Sequence, residues 1–236
     1  LPFFIPLDVD KDITFTPFIT PQTSTIETRY RQAFEKGNLN VDSSLTRDTL
    51  GDNQFRGYLS INGDFNLDNG YILNYTVERV SDSAYLGDYG YTAQNELSSG
   101  LNYSQVRSDR FFETSLGVIQ SLYKEDKDNL TLTTNNYYDR IIDQNIVPGS
   151  LSFNSELVAS WRKGSEDIIG RDVARFANQL NWNNTSISTW GLEYGSGVVL
   201  NQDIFLAVDD SRLNNIEILN SIGTNIYVRL PLISNS

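Results

Sequence analysis

Apolar and polar residues alternate with a period of two through most of this chain, and that spacing admits strands and little else. Leu59, Ile61, Gly63, Phe65 and Leu67 alternate with Ser60, Asn62, Asp64 and Asn66. Leu151, Phe153, Leu157, Ala159 and Trp161 alternate with Ser152, Asn154, Glu156 and Ser160. Ala174, Phe176, Leu180 and Trp182 interleave with Arg175, Gln179 and Asn181. Successive side chains of a strand point to opposite faces, so each segment makes sheet with one apolar and one polar side. Thr, Ser, Asn and Gly interrupt every candidate helical stripe.

Turn signals punctuate the alternation. Glu35-Lys36-Gly37-Asn38, Leu67-Asp68-Asn69-Gly70 and Trp182-Asn183-Asn184-Thr185 each sit between two alternating runs, as hairpin turns do. Longer polar stretches separate them: Thr46–Gln54, Ser81–Thr92, Lys124–Asn129, Arg162–Asp172 and Asn201–Leu213. Short turn and long loop in alternation is the rhythm of an outer-membrane barrel. The spacing predicts about a dozen strands, long enough to span a bilayer when tilted. They fall at 12–19, 24–34, 39–48, 55–66, 71–80, 93–106, 110–123, 130–141, 150–162, 173–182, 185–199 and 214–230, with Leu1–Leu7 the tail of one more. The expected fold is all-β, an antiparallel up-and-down segment of a transmembrane β-barrel that does not close by itself. It is one domain over residues 1–236, with no composition break to mark a boundary. No apolar run approaches the roughly 20 residues of a membrane helix.

Composition narrows the chemistry. The 236 residues include no His, Cys or Met, and 18 basic against 30 acidic residues give a net charge of −12. No disulfide, thiolate nucleophile, His-dependent triad or imidazole-bound zinc can form within it. A net negative surface argues against nucleic acid, whose phosphates need basic contacts. Carboxylates remain, but Glu113, Glu156 and Glu193 stand on separate strands with no cluster to set one pKa apart from another. No catalytic residue, metal or cofactor is expected.

Asp8-Val9-Asp10-Lys11-Asp12 has the opening of a calcium loop, but Ile13 and Ile19 stand where that loop needs Gly and Glu, so it reads as an acidic tight turn. Asp82, Asp88, Asp126 and Asp128 read as solvated loop carboxylates. Asn74, Asn102 and Asn129 open Asn-x-Ser/Thr triplets, the first two inside strands. Glu27, Arg29 and Arg31 share one strand face opposite Ile26, Thr28, Tyr30 and Phe34. A water-facing sandwich and a hydrated lumen both accommodate such a face. Tyr71, Tyr91, Tyr123, Trp161, Trp182 and Tyr227, near strand ends, favour the barrel as a headgroup-level belt.

Several segments together resemble the outer-membrane lipopolysaccharide-assembly family of LptD. Leu1-Pro2-Phe3-Phe4-Ile5-Pro6-Leu7, then Asp10-Lys11-Asp12-Ile13-Thr14-Phe15-Thr16-Pro17, resembles the family's second barrel strand, first turn and third strand. Ile26-Glu27-Thr28-Arg29-Tyr30-Arg31 resembles its next strand, and Arg79-Val80-Ser81-Asp82-Ser83-Ala84-Tyr85-Leu86 its most specific segment. Gly170-Arg171-Asp172-Val173-Ala174-Arg175 and Arg229-Leu230-Pro231-Leu232 match later positions in order.

The resemblance implies a piece of a larger barrel, roughly strands two to fourteen, without the periplasmic jelly-roll domain and the closing half. It implies a translocon component of the cell outer membrane that inserts lipopolysaccharide into the outer leaflet. Sugar would pass through the lumen and leave by a lateral gate. Pro2 then corresponds to a proline that weakens pairing beside the gate, while Pro17 and Pro231 read as strand terminators. Glu27, Arg29, Arg31, Asp64 and Glu78 would line the lumen. The implied partners are lipopolysaccharide, an LptE-type plug lipoprotein, the periplasmic transport bridge and outer-membrane lipids. A general porin and a soluble carbohydrate-binding β-protein are the alternatives.

Overall fold

The computed structural model describes residues 1–48, 55–92, 94–122, 130–162, 172–208 and 216–230. Strands β1 (Phe3–Pro6), β2 (Lys11–Ile19), β3 (Thr23–Phe34), β4 (Gly37–Asp48), β5 (Phe55–Asn66) and β6 (Tyr71–Val80) come first. A short α-helix, α1 (Tyr85–Asp88), follows. Then come β7 (Glu96–Val106), β8 (Arg110–Ser121), β9 (Leu130–Ile142), β10 (Ser150–Arg162), β11 (Asp172–Ile187), β12 (Glu193–Val208) and β13 (Ile216–Arg229). All 13 lie in one sheet in strict sequence order, each antiparallel to the next. The up-and-down all-β fold read from the alternation is the fold observed. The order ends at β1 and β13, so the described strands form a sheet and do not close on themselves.

Register divides the side chains into two faces. Opposed residues share a face, so the pairs Asp12↔Arg31, Glu27↔Ser44, Asp42↔Ser60 and Asp64↔Asn74 put these residues on one side. The pairs Ile13↔Tyr30, Val41↔Ile61, Ile61↔Val77 and Phe65↔Leu73 lie on the other. The same division continues to β13, where Ile218, Ile222 and Ile226 oppose Ile204, Leu200 and Ser196. The sheet therefore has one polar face and one apolar face.

Most turns fall as read. Phe34 pairs with Gly37 across a two-residue hairpin at Glu35–Lys36. At Asp68–Gly70 the chain needs two successive left-handed residues, supplied by Asn69 (φ 61°) and Gly70 (φ 75°). The acidic turn after β1 is closed by the Leu7 and Asp8 N–H groups donating to the Lys11 carbonyl at 3.0 and 3.1 Å. Asp12 is occupied by Arg31, and no group of three or more metal-ligating side chains exists among the described residues.

Three readings are corrected. Trp182–Thr185 is not a turn, because Asn183 is paired to Ser150 on one side and Gly197 on the other. β11 runs 16 residues through it, and the reversal comes at Ser188–Leu192, where Gly191 takes φ 79° and Ser188 Oγ accepts the Leu192 N–H at 3.1 Å. The segments expected at 173–182 and 185–199 are thus parts of β11 and β12, and β12 reaches Val208 inside the stretch read as a loop from Asn201. Pro17 does not terminate its strand either. It pairs with Ile26 inside β2, while β1–β2 pairing stops at Phe3↔Phe15, two residues short of a position with no N–H to give. Pro231, Tyr123, Asp126, Asp128 and Asn129 lie outside the described residues.

Candidate functional site

The polar face carries the charge. Arg29 Nε donates to Asp42 at 3.0 Å, and Arg31 holds Asp12 through Nε and Nη2 at 3.1 and 3.0 Å. Arg175 bridges Glu156 at 3.6 Å and Asp203 at 2.6 Å, and Arg229 holds Glu193 at 2.7 Å. Concavities open on this face among the described residues. One, about 500 Å³, is lined by Asn62, Asp64, Asn74, Thr76 and Asn102. Another of about 490 Å³ lies among Glu156, Val158, Val173, Arg175 and Phe205. A smaller one, about 280 Å³, adjoins it around Asn154, Gln179 and Asn201. Glu27, Arg29, Arg31, Asp64 and Glu78 all stand on this one face, on β3, β5 and β6. Pro2 is elsewhere, exposed just before β1 at the open edge. That edge strand has four residues, against 16 in β11.

The apolar face is organised against charge. Its charged side chains are Lys11, Arg47, Arg79, Arg110, Arg140 and Asp172, each within three residues of a strand end. Several uncharged polar groups nearer its middle hydrogen-bond to one another. Thr114 pairs with Asn136, Asn136 Nδ2 donates to Thr134 Oγ1 at 3.0 Å, Ser155 Oγ to Asn178 at 3.0 Å and Gln202 to Asn220 at 3.3 Å. Rings collect at the short-turn end of this face. Phe34 packs on Phe65, Phe65 on Tyr75, Tyr71 on Tyr103 and Tyr103 on Phe112, with centroids 5.1 to 6.3 Å apart. Tyr75 also covers Gly63, where an added Cβ would sit 2.4 Å from the ring. Trp182 stands at the same end, its indole N–H donating to the Pro148 carbonyl at 3.0 Å. Two of the expected belt residues belong to the polar face instead. Tyr91 donates to Glu27 at 2.6 Å, and Tyr227 bonds Thr185 and Glu193.

Residues 81–92 fold back over the polar face of β3 to β5 and make the best-packed site in the molecule. Tyr85 is fully buried, its hydroxyl 2.8 Å from Ser44 Oγ and 2.7 Å from Thr46 Oγ1. Leu86 and Leu97 complete a small core with it. Arg56, rising from β5, reaches Asp82 at 2.7 Å, Asp88 at 2.9 Å and Asp48 at 3.2 Å. Its guanidinium also lies 5.4 Å from the Tyr85 ring centroid and 5.8 Å from that of Tyr89. Asp82 and Asp88 still touch solvent, at 39% and 53% exposure, but they are paired and therefore not free loop carboxylates. They tie the loop to the wall, and sequence reasoning missed Arg56 and Asp48 altogether.

The electrostatics follow this geometry. The Arg56 hydrogen bond holds the Asp82 carboxyl down at about 2, with Ser81 and the Ala84 N–H helping and burial opposing. Burial, then the bond to Asp48, pushes the Tyr89 hydroxyl up to about 12, and burial with the Glu27 bond raises Tyr91. A carboxyl depressed on folding stabilises the folded loop above its ordinary value of 3.8 and loses that contribution as pH falls through about 2. Pepsin, active across this range, should cut the 81–92 loop increasingly from pH 4 to pH 2. The Asp82→Asn protein should be cut at pH 4 already, with a much smaller acid step. Equal pH profiles for the two proteins would contradict this assignment.

No family model matches the sequence, and no curated protein matches it. Among solved structures the chain is similar to one described as a bacterial polysaccharide outer membrane secretin. The TM-score is 0.42 at 7% identity, over 93% of this chain and 77% of that one. At such a score the likeness carries nothing beyond itself, and the fold class stands on the 13-strand ladder.

Proposed function

We propose that this chain is part of the wall of an outer-membrane translocation barrel that delivers lipopolysaccharide to the outer leaflet. Its apolar face would meet lipid and its polar face a hydrated lumen. The observation that carries the reading is the apolar face, with charge only near strand ends and several of its internal polar groups paired with one another. A side chain facing hydrocarbon has no water to satisfy it, so charge belongs at the rims and polar groups must pair. The ring cluster at one end suits the headgroup level.

Transport of a sugar chain needs a wall rich in hydrogen-bonding groups, and the polar face supplies Asn38, Asn40, Ser60, Asn62, Asn74, Thr76 and Asn102 beside its ion pairs. The motifs around Pro2, Glu27 and Tyr85 point to lipopolysaccharide in particular. On this reading β1, bounded by Pro2 and Pro6, lies near the lateral gate, and an LptE-type plug would rest on polar wall left open by loop 81–92. A photo-crosslinking residue at Asn62 in the full-length protein in cells should capture lipopolysaccharide, and one at Ile61 should not. Absence of that adduct at every polar-face position would contradict the assignment.

A specific observation favours a second reading, a diffusion porin. The 81–92 loop narrows whatever the polar face encloses, as a constriction loop does. Steady ion conductance across a planar bilayer, without lipopolysaccharide crosslinking, would favour it.

A further inference from the structure

Arg110 opens β8 and Arg140 lies near the end of β9, and the register sets them directly opposite one another on the apolar face. Arg107 is in the adjoining turn, its N–H donating to the Arg110 carbonyl at 2.8 Å. Directly opposed like charges repel. Elsewhere the chain avoids the problem, since Arg29, Arg31, Arg175 and Arg229 each hold a carboxylate. The side chains of Arg107, Arg110 and Arg140 have no ion pair or hydrogen bond among the described residues. The Nε of Arg110 is enclosed and unpartnered. Native folds leave few buried donors in that state without a ligand or water to meet them.

The surroundings define what would fit. Phe112 and Tyr138 form the next same-face pair along the two strands, Phe153 opposes Arg140, and Tyr103 packs edge-on against Phe112. Two guanidinium groups thus stand at the turn end of the apolar face, beneath a shelf of rings. Carboxylates keep away: Asp109 and Asp143 lie in the turns without an ion pair to these arginines, and Asp139 is on the polar face opposite Phe111.

We infer that Arg110 and Arg140, with Arg107, bind the phosphate ester of an anionic membrane lipid at the short-turn rim. A guanidinium fork matches phosphate oxygens two at a time, and one phosphate between two forks turns their repulsion into a chelate. The arginine stems lie along apolar surface while their heads reach the interface, and the rings offer a bed for the first acyl carbons. This inference rests on the reading that the apolar face meets lipid.

The test uses the full-length protein extracted from outer membranes in detergent, delipidated and titrated while intact in a mass spectrometer. The probes are phosphatidylglycerol, phosphatidylethanolamine and inorganic phosphate. The native protein should retain phosphatidylglycerol over phosphatidylethanolamine by about tenfold or more, because both offer phosphate oxygens to the guanidinium forks but the ethanolamine ammonium is repelled by them. Arg140→Gln should reduce that preference and Arg110→Gln with Arg140→Gln abolish it, with the heat-modifiable folded band intact. Arg79→Gln, at the opposite end of the same face, should leave it unchanged. Equal lipid retention by the double variant overturns the inference, as does displacement of the lipid by equimolar inorganic phosphate, which marks a free-anion site. Recovery of the native protein in the soluble fraction would instead overturn the membrane reading, so the two failures are separable.

Discussion

Replacing Ile61 by Arg in the full-length product should stop most of it from reaching the folded, heat-modifiable form, while Arg at the adjacent Asn62 should leave the folded band in place. Ile61 lies mid-strand in β5, between Val41 and Val77 on the apolar face. A guanidinium there would face hydrocarbon, at a cost of about 2–4 kcal/mol near the midplane. Asn62 lies between Asn40 and Thr76, beside Asp64 in a concavity of about 500 Å³, where an arginine finds water and a carboxylate. Gel mobility of unheated outer-membrane fractions reads both outcomes. If Asn62→Arg abolished the folded band and Ile61→Arg did not, the faces would be assigned the wrong way round.

Arg56→Met should free the 81–92 loop from the wall. Asp48 is only 3% exposed and is met by Arg56 and the Tyr89 hydroxyl. Removing the guanidinium takes the cation away from a buried carboxylate, which costs about 3 kcal/mol, the lower end of the range for breaking a buried pair because Arg56 itself touches solvent and Asp48 keeps the Tyr89 hydroxyl. Amide exchange at Asp88 and Tyr91, whose N–H groups bond to Ala84 and Leu86, should then rise about a hundredfold. Adding Asp48→Asn should recover much of the protection, since a buried amide carries no charge for the lost cation to balance. Unchanged exchange in Arg56→Met would show that Tyr85 and its hydroxyl contacts hold the loop without the arginine.

The division into faces was legible because it depends only on parity along each strand. A single strand such as 59–66 shows it, and neighbours must agree once register is set. That is why Glu27, Arg29, Arg31, Asp64 and Glu78 could be grouped before any coordinates. Strand ends were less legible. Asn183-Asn184 has the composition of a turn, yet Asn183 sits comfortably in β11, its side chain donating to Asn181 at 2.9 Å and its backbone paired on both sides. The true reversal at Ser188–Leu192 carries one Gly and no Asn, a weaker signal.

The loop site was hidden for a different reason. Nothing within Ser81–Thr92 announces that Asp82 and Asp88 will meet an arginine more than 20 positions earlier. Their partner is set by how the segment folds over β3 to β5, a tertiary fact with no local period. The buried Tyr85 was the available clue. A tyrosine between Ala84 and Leu86 in a polar stretch has a reason to be buried and a hydroxyl that must then be satisfied, as Ser44 and Thr46 satisfy it. Tyr91 and Tyr227 misled because a ring near a strand end suits an interface belt and a hydroxyl donor to a carboxylate equally well.

The central claim is that one face of this sheet meets lipid and the other water. The chain has no cysteine, so single cysteines at Leu59, Ser60, Ile61, Asn62, Asp64 and Phe65 can carry a spin label one at a time in the membrane-reconstituted protein. Collisions with oxygen, which concentrates in hydrocarbon, and with a water-soluble nickel chelate should alternate. Leu59, Ile61 and Phe65 should favour oxygen, and Ser60, Asn62 and Asp64 the chelate. If Leu59, Ile61 and Phe65 were reached by neither probe, that face would be buried against a second layer of protein, and the account of a membrane wall would be wrong.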